Sequence, residues 1–205
     1  MTICLVGSEM CIRDRFNANV RIPLVHLNVL DKVENTHIQH AVRKHATDDR
    51  HLSNVKANMT SWYLHEESDV IGGLADLVLI ECQKMSGKFD LVMGECWGNV
   101  QKYSENVVEH THWPFLWSWC YYSLVNSTSP PLIFPEAKQS FEPEIGDLII
   151  FPSYIKHSVP HSYSENERIV VAGNIAFKFR KTTMPPIDGF GEALLYGANL
   201  NDVGC

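Results

Sequence analysis

The pattern of hydrophobic and polar positions divides the chain into a helical part followed by a strand-rich part. The clearest helix is predicted over residues 70–86, where apolar side chains recur at the three- and four-residue spacing of one helix face. Asp69 is predicted to cap its start, and Gly87 stands where a helix-ending glycine belongs. A second helix, facing solvent, is predicted over residues 31–46, which are rich in charged residues and histidine.

Short β-rich segments separated by Gly, Pro, Asn and Ser follow the helical part. They lie at residues 91–93, 107–108, 116–125, 132–134, 148–151 and 169–179. One earlier strand is predicted at 20–29, and Pro23 near its start fits an edge position. Regularly spaced short strands are typical of antiparallel sandwiches and barrels. We therefore predict a mainly β fold with flanking helices, a double-stranded β-helix of the jelly-roll, cupin-like type.

The 205 residues predict one domain with an extension. Residues 1–15 follow neither the helical nor the strand period and resemble translated sequencing-adapter read-through. We expect them to be a non-native or disordered extension, with a frayed native terminus as the alternative. The remaining residues, 16–205, are predicted to form a single domain: a strand and helical part (16–88), a jelly-roll core (89–180) and a tail (181–205).

Composition and charge exclude several classes of function. With 17 basic and 24 acidic side chains the formal charge is −7, which argues against a general nucleic-acid-binding protein. No apolar run reaches the 18 residues of a membrane span, so no membrane association is expected. The six cysteines are scattered without a C-x-x-C pair, which favours reduced thiols and a cytoplasmic protein, or one in the host cytoplasm if phage-encoded. The ten histidines are many for this length.

Three of those histidines and one arginine form the candidate site. His110 and His112 end a β-rich run, and residues two apart on a strand share a face. His157 follows the apolar strand at 148–151. On the last strand, Arg168 and Asn174 are predicted to share a face, and a buried arginine needs an anionic partner such as a bound carboxylate. The remaining histidines of the helical part are predicted to be surface residues.

The order H-x-H, then H, then R resembles the 2-oxoglutarate/Fe(II) oxygenases of phage and marine bacterial type, over roughly residues 90–178. The residues that carry the resemblance are His110-x-His112, Ser118, Tyr121-Tyr122, Pro131 to Phe134, Gly146 to Pro152, His157-x-Val159-Pro160 and Arg168 to Asn174.

The resemblance implies a jelly-roll dioxygenase with two co-substrates, 2-oxoglutarate and O2. Fe(II) would be held by His110, His112 and His157, and Arg168 would bind the distal carboxylate of 2-oxoglutarate. Tyr121 or Tyr122 would add a hydrogen bond to this cofactor. Two interpretations stay open for Asn174: it contacts the cofactor or a metal-bound water, or it is a buried amide whose hydrogen bonds are satisfied within the protein. The implied reaction hydroxylates a substrate that the sequence does not identify, with release of succinate and CO2.

One position departs from the wider superfamily, in which the second ligand is Asp or Glu. Here it is His112, which gives three neutral ligands, a set that also suits Zn²⁺. Glu109 is adjacent, but its strand parity points it away from the histidines. The alternative is therefore a cupin-like metal-binding protein without oxygenase activity, acting as a binding module or isomerase. A structural jelly roll with a vestigial site is a third interpretation.

Four of the five tryptophans bracket the first two histidines. They are Trp97, Trp113, Trp117 and Trp119. Two interpretations stay open for them: they wall a substrate cleft, or they pack in the core and at its rim, where tryptophan buries a large area.

Overall fold

The computed structural model describes residues 24–47 and 53–178. The predictions for residues 1–15 and 181–205 lie outside the described residues, as does the first part of the strand predicted at 20–29. The helices, besides a 3-10 turn at Leu30–Lys32, are α1 (Asn35–His45), α2 (Leu64–Glu67) and α3 (Asp69–Ser86). The strands are β1 (Val25–Asn28), β2 (Val55–Lys56), β3 (Asn58–Met59), β4 (Leu91–Gln101), β5 (Asn106–His110), β6 (Trp117–Leu124), β7 (Leu132–Phe134), β8 (Gln139–Phe141), β9 (Asp147–Pro152), β10 (His157–Val159) and β11 (Arg168–Phe177).

The strands form two antiparallel sheets, which confirms the jelly-roll prediction. The larger sheet has the order β1-β9-β6-β11-β4-β3, and the smaller has the order β2-β5-β10-β7-β8. Consecutive strands along the chain alternate between the two sheets from β4 to β7, as the crossing connections of a jelly roll require. The two sheets therefore face each other across an interior layer.

The larger sheet is buried on both faces, and its side chains alternate between two cores. On β6, Tyr121 packs with the helices while Tyr122 packs between the sheets. On β11, Val171 and Val170 divide in the same way. This two-sided burial explains why these strands appear in the sequence as continuous apolar runs rather than as alternating ones.

Helices α1 and α3 cover the outer face of the larger sheet. The prediction for 70–86 is confirmed, and Gly87 ends α3 with a φ of 64°, a conformation that glycine adopts without steric cost. The expected cap is wrong: Ser68 occupies the N-cap position, and Asp69 is the first helical residue. Helix α1 lies so close to β4 that a Cβ at Gly98 would stand 2.7 Å from Val42.

The first part of the chain also supplies strands to both sheets, which the sequence did not predict for residues 55–59. Strand β2 pairs with β5, and β3 pairs with β4. Each is only two residues long, too short for a periodic signal. No helix within the described residues is long and apolar enough to cross a membrane.

Candidate metal centre and carboxylate pocket

Two of the predicted ligands lie directly opposite each other in the smaller sheet. His110 ends β5, His157 begins β10, and the antiparallel register pairs the two residues. Their ring centroids are 4.4 Å apart. The side chains therefore meet on the interior face because the strand pairing sets their positions.

His112 reaches the same point from outside the strand. Strand β5 ends at His110, so the predicted strand parity does not explain the position of His112. Instead its backbone N–H donates a 2.8 Å hydrogen bond to the carbonyl of Ser153, in the loop after β9. Its Nε2 lies 3.1 Å from Nε2 of His110. One ligand-capable nitrogen from each of the three histidines lies within 4.8 Å of the others.

Hydrogen bonds leave Nε2 of two histidines free to bind a metal. Nδ1–H of His110 donates to the carbonyl of Val108 at 2.6 Å, and Nδ1–H of His157 donates to the carbonyl of Ile155 at 3.0 Å. A ring that carries its hydrogen on Nδ1 presents the lone pair of Nε2, and such bonds are the usual support of metal-binding histidines.

Burial keeps the three rings neutral. Desolvation, with the neighbouring imidazoles adding to it, lowers the pKa of His112 to about 3 and that of His157 to about 4. Burial also lowers the pKa of His110. Neutral imidazole is the form that binds metal, so protons do not compete for these nitrogens near neutral pH.

The third ring is held by the amide of Asn174. Nδ2 of Asn174 lies 3.3 Å from Nδ1 of His112 and donates to Oε2 of Glu95 at 2.8 Å. Oδ1 of the same amide accepts a 2.8 Å hydrogen bond from Ser118. A metal on Nε2 of His112 would need the hydrogen on Nδ1, the ring atom that faces this amide. Asn174 thus contacts a candidate ligand rather than lining the cofactor cavity.

The cluster fits a metal ion of the imidazole-binding kind. Two nitrogens bound at about 2.1 Å with an angle near 90° are about 3 Å apart, and the two Nε2 atoms of His110 and His112 are 3.1 Å apart. Three neutral nitrogens on one side leave further coordination positions facing the cavity. Glu109 does not complete the set, because it lies outward and pairs with Lys156 at 3.6 Å.

Arg168 lies in the same interior cavity with no anionic partner among residues 24–47 and 53–178. It is 3% exposed, and its Nη1 donates a 3.0 Å hydrogen bond to Gln101. Its Nε has no hydrogen-bond partner in that part of the chain. The guanidinium carbon lies 5.3 Å from the ring centroid of Tyr122. Burial lowers the pKa of Arg168, since the charged form lacks water there.

The two candidate tyrosines lie on opposite faces of the larger sheet. Tyr122 lines the cavity, and its buried hydroxyl has no partner in the described chain. Tyr121 faces the helices, where its hydroxyl donates to Oδ1 of Asn35 at 2.9 Å. The structure therefore does not bring Tyr121 to the site, because adjacent strand residues point to opposite faces.

The interior cavity between the sheets has a volume of about 40 Å³. Its lining includes the three histidines, Tyr122 and Arg168. Trp97, one of the four tryptophans noted in the sequence, lines it and carries a buried indole nitrogen without a partner in the described residues. Sequence reasoning missed two polar groups around it: Asn99 lines it and carries a buried oxygen without a partner in the described residues, and Gln101 holds Arg168. A polar ligand in the cavity would satisfy these groups, and Asn99 gave no motif by which it could be found.

The protein is thus a jelly roll with a cluster of three histidines beside a buried cationic pocket. A family model described as "Putative 2OG-Fe(II) oxygenase" matches residues 134–174, a segment that contains His157, Arg168 and Asn174. No curated protein sequence matches significantly.

Solved structures of 2-oxoglutarate oxygenases share the fold. A viral collagen prolyl hydroxylase from Paramecium bursaria Chlorella virus-1, in complex with 2-oxoglutarate, superposes with a TM-score of 0.58 at 14% identity, covering 74% of this chain and 94% of that one. HygX from Streptomyces hygroscopicus, with nickel, 2-oxoglutarate and hygromycin B bound, superposes with a TM-score of 0.62 at 12% identity, covering 77% of this chain and 84% of that one. A Pseudomonas putida prolyl-4-hydroxylase superposes with a TM-score of 0.54 at 14% identity, covering 77% of this chain and 92% of that one. The family match covers residues 134–174, and these solved structures, at 12–14% identity, share the fold of this chain.

Proposed function

We propose that this protein is an Fe(II)- and 2-oxoglutarate-dependent dioxygenase that hydroxylates an organic substrate and releases succinate and CO2. The observation that carries the proposal is the buried Arg168, which shares one cavity with the three histidines and has no anionic partner in the described residues. An unpaired buried charge is costly, and a bound carboxylate compensates it through charge-assisted hydrogen bonds. 2-Oxoglutarate offers a carboxylate at each end, one for the arginine and one for the metal.

Each side chain has a distinct part in this proposal. His110, His112 and His157 hold the iron through their neutral nitrogens, and bound iron supplies the redox chemistry of O2 and the 2-oxo acid. Arg168, fixed by Gln101, orients the co-substrate by its distal carboxylate, and the hydroxyl of Tyr122 adds a hydrogen bond to it. Apolar side chains such as Phe151 and Val170 exclude water from the reacting end. Asn174 orients His112.

The experiment is anaerobic reconstitution with Fe(II) and 2-oxoglutarate, followed by O2 and measurement of succinate. We expect succinate from the wild type and a background level from His157→Ala and Arg168→Gln. Arg43→Gln is the matched control, since Arg43 is a surface arginine paired with Glu167. Succinate at equal rates in the wild type and both site variants would refute the proposal.

The neutral ligand set supports one other function. Three histidines without a carboxylate also suit Zn²⁺, as in a cupin-like metal-binding protein or isomerase without oxygenase activity. Such a protein has no need for a dicarboxylate, so tight Zn²⁺ binding without any binding of 2-oxoglutarate would favour it.

We also infer a cytoplasmic location, or the host cytoplasm for a phage-encoded protein. Support comes from Cys82, Cys96 and Cys120, which are free thiols in the described part of the chain.

A further inference from the structure

A second cavity opens outward from the metal centre. It has a volume of about 320 Å³ and shares Val55, Trp97, His110 and His112 with the interior cavity. Its remaining lining residues are Ser53, Asn54, Trp62, Glu95, Thr111, Trp113 and Phe115. This outer cleft therefore gives a substrate access to His110 and His112, while the interior cavity contacts all three histidines.

The outer cleft contains a single carboxylate without a cationic partner. Glu95 is the only acidic residue among those that line the cleft, and it is half-buried. Its Oε2 accepts the hydrogen bond from Asn174. Within residues 24–47 and 53–178, no Lys, Arg or His side chain forms an ion pair with Glu95. A partly desolvated carboxylate of this kind is stabilised by a ligand cation.

Three tryptophans line the same cleft as this carboxylate: Trp62, Trp97 and Trp113. The rings of Trp62 and Trp97 pack edge to face with centroids 4.8 Å apart. Trp113 directly follows His112 and is 75% exposed, an unusual exposure for so large an apolar side chain. Aromatic faces attract cations, and rings grouped around an anionic side chain are a recurrent way to bind ammonium groups.

We propose that the outer cleft binds its substrate through an aliphatic ammonium group, which pairs with Glu95 and packs against Trp113. The inference rests on the proposed function in taking this cleft as the substrate side of the centre. Glu95 and His112 contact the same atom, Nδ2 of Asn174, at 2.8 Å and 3.3 Å. The ammonium group is thereby held close to the metal centre, and the carbon atoms beside it are the ones presented for oxidation.

The test uses tryptophan fluorescence of the full chain without metal, so that no turnover is needed. The probes are n-butylammonium chloride, n-butanol and sodium butyrate, of matched length, at constant ionic strength. Glucosamine and glucose form a second pair, which separates an amino sugar from a simple amine as the source of the ammonium group.

We expect at least one of the two amines to bind the wild type with a saturating change in fluorescence. The neutral and anionic probes should produce no saturating change. Glu95→Gln should weaken that binding by at least about tenfold, because a hydrogen bond between charged groups is lost. Trp113→Ala should weaken it as well, and its exposure means that the fold is retained. Glu109→Gln is the matched control, since it removes a carboxylate from the outer surface.

Saturation by only one amine supports the proposal and identifies the source. Equal responses to the amine and its neutral partner, or an unchanged affinity in either variant, would overturn it. Calorimetry of 2-oxoglutarate binding to the metal-loaded wild type and to Glu95→Gln distinguishes a failure of the proposed substrate class from a failure of the proposed function. Binding of 2-oxoglutarate without amine selectivity refutes only the substrate class, whereas absence of 2-oxoglutarate binding in the wild type refutes the proposed function.

Discussion

Nη1 of Arg168 donates a 3.0 Å hydrogen bond to Oε1 of Gln101, the residue directly opposite it on the neighbouring strand. Both side chains are buried, at 3% and 0% exposure. Glutamine fixes the direction of the guanidinium but contributes no negative charge. The positive charge is therefore oriented and left available for a ligand, which a glutamate at position 101 would not allow.

Gln101→Glu should convert this arrangement into an internal ion pair. The new carboxylate competes with the distal carboxylate of 2-oxoglutarate for Arg168, so the Kd of 2-oxoglutarate should rise by at least about tenfold. The buried cation gains a partner, but the hydrogen bond from Nε2 of Gln101 to the carbonyl of Glu105 is lost, so the protein without 2-oxoglutarate should unfold close to the wild-type temperature. Calorimetry and thermal unfolding measure the two effects. Gln139→Glu is the control for added charge, since Gln139 is exposed on β8; an unchanged Kd in Gln101→Glu would contradict the assignment.

Asn174→Leu should weaken metal binding although all three candidate histidine ligands remain. The amide is the polar group that contacts Nδ1 of His112, and loss of such a supporting hydrogen bond costs about 10–100-fold in metal affinity. Competition with a chelator measures the change for Fe(II) under anaerobic conditions. Asn174→Asp retains an acceptor oxygen and should retain metal. Asn166→Leu removes an exposed amide and should have no effect; equal affinities in the two leucine variants would refute the positioning role.

The histidine cluster should make the metal-free protein sensitive to acid. Burial lowers the pKa of His157 from 6.5 to about 4 in the folded state. As the pH falls below 6.5 the unfolded chain takes up the proton first, so stability is lost down to about pH 4 and this residue causes no further loss below it. The contribution of His157 alone to this slope is at most about 1.4 kcal/mol per pH unit.

Urea unfolding between pH 7 and pH 4 measures this slope, and His157→Gln should reduce it. His161→Gln is the control, because His161 is exposed and its Nδ1 bonds to the carbonyl of Ser104. Equal slopes in the wild type and His157→Gln would show that the buried ring does not control acid stability.

The sequence predicted the long helix, the main strands and the members of the histidine cluster, because each of these depends on local pattern or on a motif. It did not predict the two-residue strands β2 and β3, which exist only through their pairing with β5 and β4. His112 was placed correctly for an incorrect reason: the loop after β9 positions it, not the strand parity.

The polar surroundings of the site depend on contacts between distant segments. Gln101 lies 67 residues before Arg168 and meets it only through strand register. Glu95 and Asn174 are likewise 79 residues apart. Adjacent residues on a strand face opposite sides, so only one of Tyr121 and Tyr122 can face the cavity. The sequence did not decide which one, because it did not show which face of β6 is covered by helices.

The most direct test of the account is calorimetry of 2-oxoglutarate binding to the anaerobic protein loaded with Fe(II). We expect one molecule of 2-oxoglutarate per chain, much weaker binding without metal, and an affinity reduced by at least about tenfold in Arg168→Gln. No binding to the metal-loaded wild type, or equal affinities in the wild type and Arg168→Gln, would contradict it.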